Sequence, residues 1–199
     1  MKAPVVIARD IADLHLIALN QSFLSSLGAR FLTSLYLAML EDSKTLVYYE
    51  YDDDGLAGFV TGGFGLGGIY IGLIKQPIQL LQNLSPVLLS YRLLSGIIEI
   101  ILFSAKQSLH RCAAKSSELP MAELYSIAVA NRARGTNVSK RLYSMLSEEF
   151  LAQGTTSFKI SVGDELVGAH HFYKKMGAQV IAKTHVHAAS KASLYIQQI

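Results

Sequence analysis

The residues best suited to chemistry lie between positions 123 and 140. The run from Glu123 to Val129 has the pattern of an extended, half-buried strand, and it leads through the segment 132–139 directly into a helix. A strand that enters a glycine-containing turn before a helix presents free backbone N–H groups, which together form a ready site for phosphate. Arg134 adds positive charge there, and the Ser139 hydroxyl adds a donor. The sequence therefore predicts an anion site where this helix begins.

Two motifs in the same half of the chain resemble those of the GNAT superfamily of acyl-CoA N-acyltransferases. Arg132-x-x-Gly135-x-Asn137 resembles the family's phosphate motif, which reads Arg or Gln, two residues, Gly, one residue, and Gly or Ala. Asn137 departs from that motif, but asparagine tolerates left-handed conformations better than most residues. The segment 169–178 resembles the family's A-x-x-x-Y-x-K-x-G-F pattern, with Leu166 in place of a common Asn and Ala178 in place of the usual Phe.

The resemblance, which is firm over residues 121–178, implies both the fold and the cofactor. The expected fold is α/β, with a mixed, mostly antiparallel, twisted sheet of six to seven strands, helices on both faces and an extra apolar helical insertion. Acetyl-CoA would lie between the strands Leu124–Val129 and Phe158–Val162, where backbone groups of Ile127 and Val129 would pair with its pantetheine arm as an added strand would. The residues expected to bind the cofactor are Ile127, Ala128, Val129, Arg134, Gly135, Thr136, Asn137, Val138, Ser139 and Lys140.

Acyl transfer to an amine needs a base, a group that holds the carbonyl, and an acid that returns a proton to the thiolate. Glu123 resembles the glutamate that serves as base on this strand in some family members, and Tyr173 matches the tyrosine often assigned as the acid. Backbone N–H groups near Val129 would stabilise the oxyanion. Alternatives remain open, because Glu123 also fits an exposed strand start, Tyr173 fits a core position, and either neighbouring histidine, His170 or His171, fits a proton shuttle.

Charge and cysteine content indicate which binding partners and which cellular compartment to expect. The 199 residues have a formal net charge of +3, which is too small and scattered to indicate a nucleic-acid partner. The only cysteine, Cys112, excludes an internal disulfide, so we expect a cytoplasmic protein. No metal is expected: His185 and His187 share a strand face without a third ligand, and the acidic run 52–54 is best interpreted as a hairpin tip.

The first third of the chain predicts a strand, two helices and a hairpin. The strand is Val5–Ala8, with Asp10 as the following helix N-cap. A second helix from Leu27 has apolar residues at every fourth position, and the strands Leu46–Tyr51 and Leu56–Val60 form the hairpin. The second half predicts the elements 124–129, 138–150, 158–162, 165–176 and a final hairpin.

The middle of the chain has no counterpart in the family. A glycine tract over residues 62–68 precedes an apolar run from Ile69 to Phe103, and polar residues and prolines interrupt that run too often for a membrane span. We interpret residues 63–118 as an insertion of a single domain that covers residues 1–199. Buried core or an interface, including one that forms a homodimer, is the favoured role for this insertion over membrane binding.

Together these features predict transfer of an acetyl or short acyl group from acetyl-CoA to a primary amine. The acceptor classes left open are a small amine, an amino sugar, an amino acid and a protein N-terminus. Direct attack is expected, because no Cys or Ser with an adjacent base is apparent. The alternative from another class is a non-catalytic acyl-CoA-binding or interaction module whose insertion docks a partner or a membrane.

Overall fold

The computed structural model describes residues 2–66, 68–69, 119–186 and 190–199, with only the backbone described at 184–186 and 190. The α-helices in these ranges are α1 Pro4–Ala18, α2 Phe23–Ser26, α3 Gly28–Glu41, α4 Val138–Ala152 and α5 Val167–Lys175. The strands are β1 Thr45–Asp52, β2 Gly55–Gly63, β3 Glu123–Val129, β4 Ser157–Gly163, β5 Gln179–Val186 and β6 Ser190–Gln198. A short 3-10 turn, Asn131–Ala133, joins β3 to the loop before α4.

The six strands form one sheet in the order β1-β2-β3-β4-β6-β5. Every neighbouring pair is antiparallel except β3 and β4, which are parallel. The expectation of a mixed, mostly antiparallel sheet flanked by helices is therefore confirmed. The expected insertion lies mostly outside the described residues, as does Cys112.

Neighbouring residues of β2 show how the helices cover both faces of the sheet. A Cβ placed on Gly58 would lie 2.8 Å from Val138 Cγ1 of α4, so α4 packs directly on the backbone at this point. The next residue, Phe59, points to the opposite face because side chains alternate along a strand. Its ring stacks against His15 of α1 and packs edge-on against Tyr36 of α3. We call these the α4 face and the α1 face.

The N-terminal strand predicted at Val5–Ala8 is wrong, and Asp10 is not a helix N-cap. Helix α1 begins at Pro4, with Ala3 at the N-cap position. Proline at the first helical position costs no hydrogen bond there and fixes a helical φ. Ile7, Ile11 and Leu14 then recur at helical spacing and are buried. A short apolar run is ambiguous between strand and helix, and here packing against α3 decides it.

The other predicted elements of the described regions are confirmed with small changes in their ends. The hairpin of β1 and β2 turns at Asp53 and Asp54, while α4, β4 and the final β5–β6 hairpin lie where the pattern placed them. Helix α5 is shorter than predicted and begins at Val167. In the described part of the chain, no helix combines the length and apolarity needed to span a membrane.

A buried histidine joins the N-terminal helices and was not identified from the sequence. His15 is 1% exposed, with Nδ1 2.5 Å from the Tyr36 hydroxyl and Nε2 3.0 Å from Ser22 Oγ. The Ser22 hydroxyl donates to Ser25 Oγ, so it accepts from His15 Nε2–H, and Nδ1 is left to accept from Tyr36. The fold therefore holds His15 as the neutral Nε2–H tautomer.

This arrangement predicts a loss of stability in mild acid. Burial lowers the pKa of His15 to about 4, below the value of about 6.5 expected in the unfolded chain. Because the unfolded chain binds this proton more tightly, the free energy of unfolding falls as the pH drops from about 6.5 to about 4, by about 3 kcal/mol from this residue. Urea denaturation at several pH values checks it: the His15→Gln variant should lose this part of the slope, and parallel slopes in both proteins would contradict it.

Candidate active site

The loop between β3 and α4 has the conformation that the phosphate motif requires. Gly135 has φ +83°, and Asn137, immediately before α4, has φ +65°. Asn137 is the only non-glycine residue with positive φ in the described part of the chain. Asparagine thus occupies the left-handed position where the family motif carries glycine or alanine, as its tolerance of that conformation allows.

Two carbonyl groups of this loop are occupied, whereas most of its N–H groups are free. The carbonyl of Ala133 accepts from the Thr136 hydroxyl at 2.7 Å, and the carbonyl of Thr136 accepts from Arg141 at 3.1 Å. Five N–H groups of the loop and the first turn of α4 have no acceptor among the described residues: those of Gly135, Asn137, Val138, Ser139 and Lys140. Such a cluster at a helix N-terminus is suited to bind a phosphate or pyrophosphate.

The strands β3 and β4 form a fork beside this loop. They pair only at Glu123 with Lys159 and at Leu124 with Ile160, whereas β4 pairs with β6 along all seven of its residues. Beyond Leu124 no described strand occupies the space between Tyr125–Val129 and Ser161–Gly163. This opening lies where the resemblance placed acetyl-CoA.

Strand alternation identifies which backbone groups line the fork. The N–H of Ala130 donates to the carbonyl of Ala57 on β2 at 2.8 Å. Successive residues alternate in direction, so Ala128 also faces β2, while Ile127 and Val129 direct their N–H and C=O groups into the fork. The prediction for Ala128 is therefore corrected: its backbone groups belong to the β2–β3 ladder. Ile127 and Val129 are placed as an added strand would need them.

Glu123 lies at the closed end of the fork. Its register partner on β2 is Gly63, which shares a face with Phe59, so Glu123 points to the α1 face. The carboxylate lies 3.4 Å from Lys159 Nζ, and the Glu123 side chain is 27% exposed. Burial raises the pKa of Glu123, and the charge of Lys159 partly offsets that rise. A carboxylate with a raised pKa is suited to accept a proton near neutral pH.

Tyr173 lies near the closed end of the fork, on the α4 face of the sheet. Its ring centroid is 6.1 Å from that of Tyr195, and Tyr195 is the register partner of Ile160 in the last row of the closed part of the fork. Tyr173 is 5% exposed, and burial raises the pKa of its hydroxyl. Among the described residues no hydrogen bond to this hydroxyl is found. Tyr173 is thus a core residue, and its protonated hydroxyl is a donor that has no acceptor among the described residues.

The two histidines weighed as proton shuttles have different surroundings. His170 Nε2 lies 3.1 Å from the carbonyl of Gly163, which only accepts, so this nitrogen carries the proton. Nδ1 then accepts from the Tyr195 hydroxyl at 2.6 Å. Both ring nitrogens of His170 are therefore occupied in holding α5 to the sheet. His171 is exposed on α5.

Distances along β3 separate Glu123 from the candidate oxyanion donors. At about 3.3 Å per residue, the N–H of Val129 lies roughly 20 Å from Glu123, whereas that of Ile127 lies roughly 13 Å away. A glutamate side chain does not span either distance. The N–H of Ile127 is thus the nearer of the two to Glu123, and any proton transfer between Glu123 and a group bound at Ile127 has to pass through ordered water.

The remaining predicted residues fall into clear roles. Arg134 and Lys140 are exposed beside the free N–H groups, and neither forms an ion pair with a described residue. Arg132, the first residue of the phosphate motif, instead contacts Asp52 at 2.8 Å. No group of three metal-binding side chains occurs in the described ranges, and the side chains of His185 and His187 lie outside them.

Comparison with known sequences gives the class of protein. The profile described as the Acetyltransferase (GNAT) family matches residues 16–178. The chain belongs to this family of acetyltransferases. No curated protein sequence gives a significant match.

Solved structures agree on the fold. One neighbour is described as an acetyltransferase of the GNAT family from Desulfovibrio desulfuricans, with a TM-score of 0.57 and 11% identity over 98% of this chain and 91% of that one. Another is an aminoglycoside 6'-N-acetyltransferase in complex with coenzyme A, with a TM-score of 0.55 and 11% identity over 97% and 91% of the two chains. Arabidopsis thaliana NAA60 with a bisubstrate analogue gives 0.51 and 11% over 83% and 82%. At these identities the likeness shows the fold alone.

Proposed function

We propose that this chain transfers an acetyl or other short acyl group from acyl-CoA to a primary amine by direct attack. The observation that carries the proposal is the fork between β3 and β4. It leads from the free N–H groups of the loop, past the N–H groups of Ile127 and Val129, to a carboxylate and a phenol on opposite faces of the sheet. The neighbours solved with coenzyme A and with a bisubstrate analogue support a CoA thioester as donor.

In this proposal the amine reaches the thioester from the α1 face. Glu123 takes a proton from the ammonium through water, and the amine nitrogen then attacks the carbonyl carbon. The N–H of Ile127 stabilises the oxyanion. When the intermediate collapses, the C–S bond breaks and Tyr173 returns a proton to the thiolate from the α4 face. The amine nitrogen loses its second proton to water, and water reprotonates the phenolate of Tyr173. The products are the amide and free CoA, and no metal is needed for any step.

The α1 face supplies the surroundings for the acceptor. Besides Glu123, it carries Thr61 on β2 and the register partner of Thr61, Ser126. The Thr61 hydroxyl is fully buried and has no hydrogen-bond partner among the residues that the structure describes. Glu123 and Ser126, which are both partly exposed, suit an ammonium group, and the amine classes named above remain candidates. A cytoplasmic location and a homodimer formed through residues 63–118 also belong to the proposal.

Release of free thiol from acetyl-CoA tests the proposal. A panel of an amino sugar, a small diamine, an amino acid and a short peptide should contain at least one acceptor that raises the rate of thiol release, with a matching amide product by mass spectrometry. Tight acetyl-CoA binding without amine-dependent release for any acceptor would instead favour the non-catalytic acyl-CoA-binding module.

The pH dependence of that reaction tests the role of Glu123. The carboxylate must be ionised to act as base, so kcat/KM should fall as the pH drops through the raised pKa of Glu123. Lys159→Met removes the charge that lowers this pKa, and the acidic limb should move to higher pH. Glu123→Gln should lower kcat by about 100-fold and abolish the limb. A profile unchanged in both variants would exclude Glu123 as the base.

A further inference from the structure

An acidic hairpin lies against the predicted anion site. The tip of the β1–β2 hairpin carries Asp52, Asp53 and Asp54, with Glu50 two residues earlier. Negative charges next to a pyrophosphate site weaken anion binding by repulsion. Two contacts between this hairpin and the loop indicate a second effect, which favours binding.

The first contact holds the start of the loop. Arg132 Nη2 donates to Asp52 Oδ1 at 2.8 Å and to the carbonyl of Leu56 at 3.1 Å. Arg132 lies within the 3-10 turn that follows β3. Both ends of the hairpin turn are thereby tied to the residues that lead into the loop.

The second contact reaches the loop's backbone. The Arg141 guanidinium binds the Glu50 carboxylate through two nitrogens, Nε at 3.1 Å and Nη2. Its third nitrogen, Nη1, donates to the carbonyl of Thr136 at 3.1 Å. That carbonyl belongs to the same planar trans peptide as the N–H of Asn137, so the two groups point in opposite directions. Holding the carbonyl toward Arg141 therefore turns the Asn137 N–H outward.

We propose that the β1–β2 hairpin is a positioning element of the acyl-CoA site. Glu50 orients Arg141, and Asp52 orients Arg132, so that the loop presents its N–H groups to the pyrophosphate. The inference rests on the proposed function. The hairpin then has two effects of opposite sign on cofactor binding: positioning of the loop strengthens binding, and repulsion between its carboxylates and the pyrophosphate weakens binding.

Titration with acetyl-CoA of variants that each remove one negative charge separates positioning from charge. Asp53 forms no ion pair with a described residue, so Asp53→Asn is the matched control and should bind acetyl-CoA as tightly as the wild type or more tightly. Glu50→Gln should bind it about threefold to fivefold more weakly, the size of effect that an exposed ion pair gives. Asp52→Asn should also weaken binding. Unchanged or tighter binding by both Glu50→Gln and Asp52→Asn overturns the proposal.

A double-mutant cycle shows whether Glu50 acts through Arg141. If it does, adding Glu50→Gln to Arg141→Gln should not weaken acetyl-CoA binding further, and the KM for the amine should stay constant throughout. Additive losses would contradict this route. The wild-type titration distinguishes two negative outcomes. If the wild type does not bind acetyl-CoA, the proposed function itself is contradicted. If the wild type binds and the variants bind equally well, only the role of the hairpin is contradicted.

Discussion

Replacing Gly135 with glutamate should weaken acetyl-CoA binding by at least about 100-fold. A side chain at this position has open space around it, with no atom within 4 Å of an added Cβ, so its cost to the fold is the backbone strain of a non-glycine residue at φ +83°. The new carboxylate, however, adds a negative charge to the loop that carries the free N–H groups. At about 4 Å from a phosphate, and with an effective dielectric constant of 20, it costs about 4 kcal/mol. Calorimetric titration measures the loss.

Gly154 offers a control for the backbone strain in this variant. It has φ +78°, also has open space at its Cβ, and lies beyond the other end of α4. Gly154→Glu should therefore cost similar stability, about 1–2 kcal/mol, and leave acetyl-CoA binding unchanged. Gly135→Ala should retain most of the binding because it adds no charge. If Gly135→Glu and Gly154→Glu bind acetyl-CoA equally well, the loop is not part of the cofactor site.

Replacing Tyr173 with phenylalanine should lower kcat by about 100-fold to 1,000-fold, the usual contribution of a positioned acid. Acetyl-CoA binding should not change. Burial raises the pKa of this hydroxyl, so the phenol stays protonated over the working pH range and acts only as an acid. Because the hydroxyl donates to no described residue, its loss should change the free energy of unfolding by less than about 1 kcal/mol.

Tyr143 is the matched control, since its ring lies 6.1 Å from that of Tyr173 in the same aromatic cluster. Its hydroxyl donates to Gln197 at 2.9 Å. Tyr143→Phe should therefore lower the free energy of unfolding by about 1 kcal/mol and keep kcat within about threefold. A Tyr173→Phe enzyme with wild-type kcat, or a Tyr143→Phe enzyme equally impaired, would show that Tyr173 is only core.

The part of the fold that the sequence predicts well is the part with local signals. Between residues 121 and 178, alternation in β3, helical spacing in α4 and a positive-φ glycine each determine structure within a few residues. Asn137 shows this most clearly, because its left-handed conformation follows from residue type and position alone. The strand predicted at Val5–Ala8 failed because four apolar residues do not distinguish a strand from the first turn of a helix.

Features that depend on distant contacts were not predictable in this way. The sequence places Arg132 in a phosphate motif, yet its partner Asp52 is 80 positions away in the sequence. Ala128 was grouped with its neighbours because only strand pairing reveals which backbone groups are free. His15 has no local pattern that separates it from an exposed histidine, and its burial follows from the packing of α1 and α3 on β2.

Calorimetric titration of the wild-type protein with acetyl-CoA shows whether the fork and its loop bind a CoA thioester. We expect one site per chain with a micromolar dissociation constant. We also expect desulfo-CoA to compete for that site, because the phosphate-bearing part of the molecule is unchanged. No binding of either ligand by the folded protein would contradict the assignment of the fork and its loop to a CoA thioester.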